Sequence, residues 1–306
     1  MSIIAVTTVI RSSMPGESHG GLYLVDLDGQ RGSHVLDWNR PTIDWSGHGG
    51  DRGLRGLSVS GQQVFIAGSH ELYVFTPNLE LTAVHTSPYL GHAQATTSFD
   101  GRVYLASARY DSILAFNIGQ GCFDWGLQII DDDGGLRGMP FDPQGALGPS
   151  PANRLHINSL HSDSRGLFIS GLRSSGLLHF DGQRIKRLVT LPEGVRNARP
   201  WRDGVLFNDT EAGVVRFLTP ESNRVFHVPV YPDEELEPGT LDDPASARQG
   251  FARGLCVVDE HTFASGSSPL TITLHDLDAM KTTLKINLNT DLRHGVHTLA
   301  LWPFKD

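Results

Sequence analysis

Between residues 55 and 68 the chain reads RGLSVSGQQVFIAG, and between 253 and 266 it reads RGLCVVDEHTFASG, in the same register and without a gap. A recurring unit constrains a fold more tightly than composition does, because every copy must occupy the same kind of place. Aligned on the second apolar run, three further copies emerge: QATTSFDGRVYLAS from Gln94, NSLHSDSRGLFISG from Asn158 and RNARPWRDGVLFND from Arg196. Each reads as a strand, a turn containing Gly, Asp or Ser, and a second strand. A short polar turn then leads to a third strand: ELYVF (71–75), SILAF (112–116), GLLHF (176–180), GVVRF (213–217) and TITLH (271–275). A fourth follows in most units, as in LTAVH (81–85), IKRLV (185–189) and TTLKI (282–286). No stretch keeps a helical apolar period.

Four strands per unit, recurring at intervals of roughly 40 to 60 residues, is the pattern of an all-β propeller. Five units are internal. The sixth is split: HTLALW (297–302) reads as an innermost strand, and IIAVTTVI (3–10) with GGLYLVDL (20–27) read as the strands that should follow it. Joining them closes the ring and leaves no unprotected edge. The expectation is one domain over 1–306 with six four-stranded antiparallel blades, the first divided between 1–37 and 297–306. The chain thus resembles the broad six-bladed β-propeller superfamily over nearly its whole length. That resemblance implies a fold and no particular activity, because propellers host enzymes and binding platforms alike. NDTEAG (208–213) is similar to the metal-site turn of gluconolactonase-like propellers, but the other calcium ligands of that family have no counterpart here. Asp37-Trp38 reverses the order that tryptophan-aspartate repeats require.

Charge narrows the partners. With 34 Asp and Glu against 25 Lys and Arg, the formal net charge of -9 argues against a nucleic-acid or anionic-membrane binder. No apolar stretch reaches the roughly 18 residues of a spanning helix. The N-terminal apolar run has no basic segment before it and reads as a strand rather than a leader. Cys122 and Cys256 lie far apart in apolar segments, which suits free thiols and a cytoplasmic location. A P-loop, a GxGxxG turn after a strand and a GxSxG elbow are all missing, so no nucleotide cofactor is expected.

In a propeller the first strand of each blade lines the central channel. The opening position of the repeat carries Arg55, Gln94, Asn158, Arg196 or Asn197, Arg253 and, aligned from the strand end, His297. All are polar, which suits a wet funnel that binds a small polar or anionic molecule. A water-filled channel without a ligand would look the same. Two positions earlier stand His92 and His156, with His161, His294 and the upstream His48 nearby in the alignment. Histidines from adjacent blades can converge as transition-metal ligands. The best set is His92, His156 and His297, with His294 as the alternative, and the same three are the catalytic candidates.

The arginines suggest anion recognition. Arg52, Arg55 and Arg253 add positive charge at the channel mouth, and turns between second and third strands add Arg109 and Arg173 with Asp111, Asp209 and Glu211. A guanidinium fork matches carboxylate or phosphate, yet pairing with these same acids as struts between blades is an equal reading for any single arginine. A histidine beside Asp51, Asp209 or Glu211 would be the natural acid/base pair. Three connections, 38–51, 131–155 and 231–251, are long enough to be functional loops on the same face. In 131–155 the Pro- and Gly-rich segment could lie flat as a lid, while DDDGG (131–135) reads as a charged turn. Two functions stay open: a hydrolase- or lyase-type enzyme acting on a small polar or anionic molecule with help from a divalent transition metal, or a non-catalytic propeller that binds a metabolite or a protein.

Overall fold

A computed structural model describes residues 2–14, 16–39, 53–237 and 247–304. The N-terminal segment forms β1 (Ile3–Ile10), β2 (Gly20–Asp26) and β3 (Arg31–Asp37). The second sheet takes β4 (Leu57–Ser60), β5 (Gln63–Ala67), β6 (Glu71–Phe75) and β7 (Leu81–Thr86). The third takes β8 (Ala93–Phe99), β9 (Arg102–Ser107), β10 (Ser112–Asn117), β11 (Cys122–Asp132) and β12 (Gly135–Phe141). The fourth is β13 (Ile157–Asp163), β14 (Gly166–Gly171), β15 (Gly176–Phe180) and β16 (Ile185–Thr190). The fifth is β17 (Val195–Trp201), β18 (Gly204–Asp209), β19 (Val214–Leu218) and β20 (Asn223–His227). The sixth is β21 (Leu255–Val257), β22 (Thr262–Ser267), β23 (Thr271–Asp276) and β24 (Lys281–Asn287), and β25 (His294–Leu301) ends the chain.

β25 pairs with β1, matching Ile4 to Leu301 and Val6 to Leu299, so the first sheet runs β25-β1-β2-β3. The other sheets run in sequence order. The chain is a six-bladed β-propeller, and its first blade is completed by the C-terminal strand as the split repeat predicted. Among the described residues no helix is long and apolar enough to cross a membrane.

Local chemistry explains the hairpins. Between β8 and β9 the turn is Asp100-Gly101, with φ of 47° and 72°. Two consecutive positive φ values suit the right-handed twist of the flanking strands and favour Asp-Gly. Apolar residues then bury the inner strands, as along β5 and β6, while the outer strands β3 and β7 have no buried residue.

Two compact units are distinguished, 1–55 with 201–306, and 56–200; the division falls at the end of β17. In the first unit, Ile4, Val6, Val25, Ile272, Val296 and Leu299 share one core. A second gathers Leu206, Phe217, Phe226 and Phe263. In the second unit Phe65, Leu72, Leu105 and Phe116 form one core, and Ile113, Leu127, Ile157 and Ile169 another.

The segment 131–155 differs from the loop expected of it. Its first part continues β11 and turns into β12, a fifth strand on the outer edge of the third sheet. Alternation in β11 buries Leu127 and Ile129, 0% and 2% exposed. The DDDGG stretch is the hairpin turn: the Asp132 carboxylate accepts the Gly134 N–H at 2.9 Å and a two-point contact from Arg137 at 2.6 and 2.9 Å. Pro140, which argued for a loop, is tolerated because an edge strand has one side without ladder bonds. Residues 40–52 and 238–246, which hold most of the first and the middle of the second of the other two long connections, lie outside the described residues. So do Arg52, His48 and Asp51.

Candidate functional site

Each unit presents polar side chains where its inner strands begin. In the first unit the chain enters β21 through Phe251-Ala252-Arg253-Gly254. The Arg253 N–H bonds to the Gly266 carbonyl at 2.9 Å. Gly254 has φ of 86°, and a Cβ there would lie 2.7 Å from Val296 Cγ1. Only glycine fits, because both the backbone angle and the approach of β25 exclude a side chain. In the other copy of the motif, a Cβ at Gly56 would lie 2.6 Å from the backbone N of Thr96. The duplicated Arg-Gly-Leu thus marks two places where the lead-in to an inner strand crosses close to the next inner strand.

Arg253 is 6% exposed, and its Nη2 donates to Nε2 of His297, which is 2% exposed. Arginine has donors and no acceptor, so Nε2 is the accepting nitrogen and the ring carries its hydrogen on Nδ1. Nδ1 lies 3.4 Å from the Thr298 hydroxyl. Thr298 faces Thr7 across the β25–β1 ladder, and the Thr7 hydroxyl donates to the Arg55 carbonyl. Arg55 is 2% exposed. Arg55, Arg253 and His297 are therefore joined through β1 and β25.

A third buried arginine belongs to the same neighbourhood. Arg11 follows β1, and its Nη1 lies 3.2 Å from the Ser268 hydroxyl. Its guanidinium sits 4.8 Å over the Phe251 ring. A Cβ at Gly295 would meet Ser268 Oγ at 2.7 Å and Arg11 Nη1 at 3.0 Å, so the glycine leaves the space that the guanidinium fills. His294 bonds to the Thr8 hydroxyl at 3.1 Å. Burial pushes its imidazole down to about 4, with His34, Arg11 and Arg293 acting the same way and Asp291 opposing them. Arg11 was missed by sequence reasoning. The signal was present: it holds the same place after a second strand that nominated Arg109 and Arg173.

The acids expected on this side are engaged. Asp209 takes Arg216 Nε at 2.8 Å and the Ala212 N–H at 3.2 Å. Glu211 pairs with Arg248 at 3.1 Å, while the Thr210 hydroxyl donates to the Ala252 carbonyl at 2.8 Å. The NDTEAG turn therefore braces the lead-in to β21.

In the second unit the polar residues mostly hold backbone. Asp111, in the left-handed region at φ 46°, accepts the N–H groups of Arg154, Leu155 and His156 at 2.5, 3.1 and 2.8 Å. Burial pushes its carboxyl above the usual aspartate value, against those N–H groups and Arg173. Arg173 donates to the carbonyls of Arg154, at 2.6 Å, and Asn153. His156 Nδ1 lies 2.9 Å from the Asn153 side-chain oxygen, and the His92 ring lies edge-on to His70 at 6.1 Å. Arg109 lies over Gly91 and 5.7 Å from the Tyr110 ring centre. Asn158 donates to the Val195 carbonyl at 3.2 Å, linking β13 to β17, and Gln94 is buried on β8. Arg196 and Asn197 are half-buried on β17. His161, beside Asp163 at 3.7 Å, is pushed down to about 4 by burial first and Arg199 second.

Among the described residues no three His, Cys, Asp or Glu side chains form a group that could hold a metal ion; of the expected ligands, His92 and His156 lie in the second unit and His297 and the alternative His294 in the first.

No protein-family model matches the chain, and no curated protein matches it in sequence. Solved structures match throughout its length. A chain of the nidogen/laminin complex is 9% identical with a TM-score of 0.56, and 98% of each chain is covered. A protein of unknown function from Bacteroides caccae is 12% identical at a TM-score of 0.55, again over 98% of each. Virginiamycin B lyase from Staphylococcus aureus is 13% identical at 0.49, covering 78% of this chain and 85% of its own, and at that score carries no argument. The likeness is one of fold alone.

Proposed function

We propose that the first unit binds a small anionic molecule, a carboxylate or phosphate, where Arg253, Arg55 and Arg11 enter and flank its inner strands. The observation that supports this reading most is the buried contact between Arg253 and His297. A guanidinium fork held by a second buried side chain is fixed in orientation, as bidentate anion recognition requires. Burial lowers the local dielectric and strengthens that attraction relative to an exposed arginine.

Binding rather than catalysis is the role these side chains suit. General base work needs a histidine nitrogen with a usable lone pair and a proton affinity near neutrality. Nε2 of His297 already accepts from Arg253, and the His294 imidazole is held at about 4.

Calorimetric titration with inorganic phosphate and with succinate tests the reading. Both are expected to bind, with affinity falling as salt is raised, and Arg253→Met should weaken each by about tenfold, the loss of one charge-assisted contact. Succinamide, the uncharged analogue, should not bind. Equal affinity of wild type and Arg253→Met for both anions overturns the proposal.

A further inference from the structure

The second unit contains a cleft of about 330 Å³ between the third and fourth sheets, near the turns that join β8 to β9 and β13 to β14. It shares no residue with the arginine site. Its apolar side is aromatic. Tyr104 and Trp125 meet edge-on with centroids 6.4 Å apart, Trp125 leans on Phe180 at 5.8 Å, and Phe99 lies at the rim with 39% of its surface exposed.

The charged side is acidic once internal pairs are set aside. Arg102 forks onto Asp124 at 3.3 and 2.8 Å. Arg165 forks onto Asp163, with Nη2 at 2.6 Å. Both guanidiniums are thereby neutralised, and Asp100 and Asp181 are left to set the charge of the lining. Asp181 stays ionised, because the Arg184 and Gln183 N–H groups, at 2.8 and 2.9 Å, hold its carboxyl below the usual range. Tyr104 stays a neutral phenol, since burial raises it and outweighs Arg102 beside it.

Aromatic faces are attractive to cations through their quadrupole, and carboxylates at the rim add to that attraction. An anion would meet two carboxylates. A cleft of this volume admits a single ring with a short substituent. We infer that this cleft binds a small organic cation with a flat apolar body, of the arylalkylammonium class, its ring against Trp125 and its charge toward Asp100 and Asp181.

Three probes of one shape test this: benzyltrimethylammonium, benzyl alcohol and benzoate, each titrated by calorimetry into the full chain. The cation is expected to bind, the alcohol about tenfold more weakly, and benzoate not at all. Asp100→Asn is the diagnostic variant, because the residue is exposed in a left-handed turn that asparagine also adopts. It should weaken the cation by about threefold to fivefold and leave the alcohol unchanged. No measurable binding of the cation overturns the inference. So does equal binding of all three probes, or an Asp100→Asn protein that melts like wild type and binds the cation and the alcohol as wild type does. Loss of phosphate binding in Arg253→Met with the cation still bound would leave this inference standing and separate it from the first site.

Discussion

The chain enters β13 and β21 by the same backbone device, a residue in the left-handed region just before the strand: His156 at φ 51° and Gly254 at φ 86°. Both are braced by side chains bonded to backbone, Asp111 before β13 and Asn208 and Thr210 before β21, but their arginines differ. Before β13 a buried carboxylate, Asp111, takes three backbone N–H groups and Arg173 takes two carbonyls. Before β21 the side chain of Arg253 turns to another side chain, His297, while Arg11 lies against Phe251 and Ser268. Arginines at comparable places thus hold backbone in one unit and another side chain in the other. Buried backbone groups must find partners. Where a side chain meets that need its role is structural.

The harshest break of the comparison removes β25, and with it His297. Deleting 294–306 takes Val296 and Leu299, 1% and 4% exposed, out of a core and leaves β1 paired on one side only. The expected result is loss of a cooperative transition by calorimetry. A truncated chain that melts like the intact one would refute the split first blade.

Next in size is Asp111→Ala. It removes the acceptor of three N–H groups, one of them buried, and urea unfolding should show a cost of about 3 kcal/mol. If the loss is under about 1 kcal/mol, the clasp at β13 is not what holds that entrance.

A pH series sharpens the comparison through His294. Its folded value of about 4 lies below the ordinary 6.5, so the unfolded chain binds the proton first as pH falls. Its contribution is complete above about 6.5 and is lost progressively toward 4. At pH 5 the wild type should have lost about 2 kcal/mol through this residue, a loss that His294→Gln should not show. Parallel pH profiles for the two proteins would remove His294 from the account.

The smallest expected effect is on folding in Arg253→Met. The change keeps much of the apolar stem, and the stability loss should be about 1 kcal/mol. If Arg253→Met and Arg55→Met both unfold the chain, the two entrances are alike after all and both are struts.

Much of this was readable in the sequence. The five internal units and the divided first blade rest on strand periodicity and on Gly-Asp turns, which are local properties. The fifth strand, β12, was obscured by Pro140 and its glycines, because the tolerance of an edge for proline depends on which strand lies outermost. Arg11 was overlooked because its partners, Phe251 and Ser268, are more than two hundred residues away in the chain. Arg173 looked like a ligand-binding side chain, and nothing in its own sequence shows that the backbone of 153–154 passes within reach.

The sequence by itself determined the blade count and the antiparallel order, since both follow from local turn chemistry and a repeating apolar pattern. Tertiary structure alone decided which polar residues hold backbone and which hold one another. That choice depends on distances between strands remote in sequence, and hydrogen bonds act only within about 3 Å.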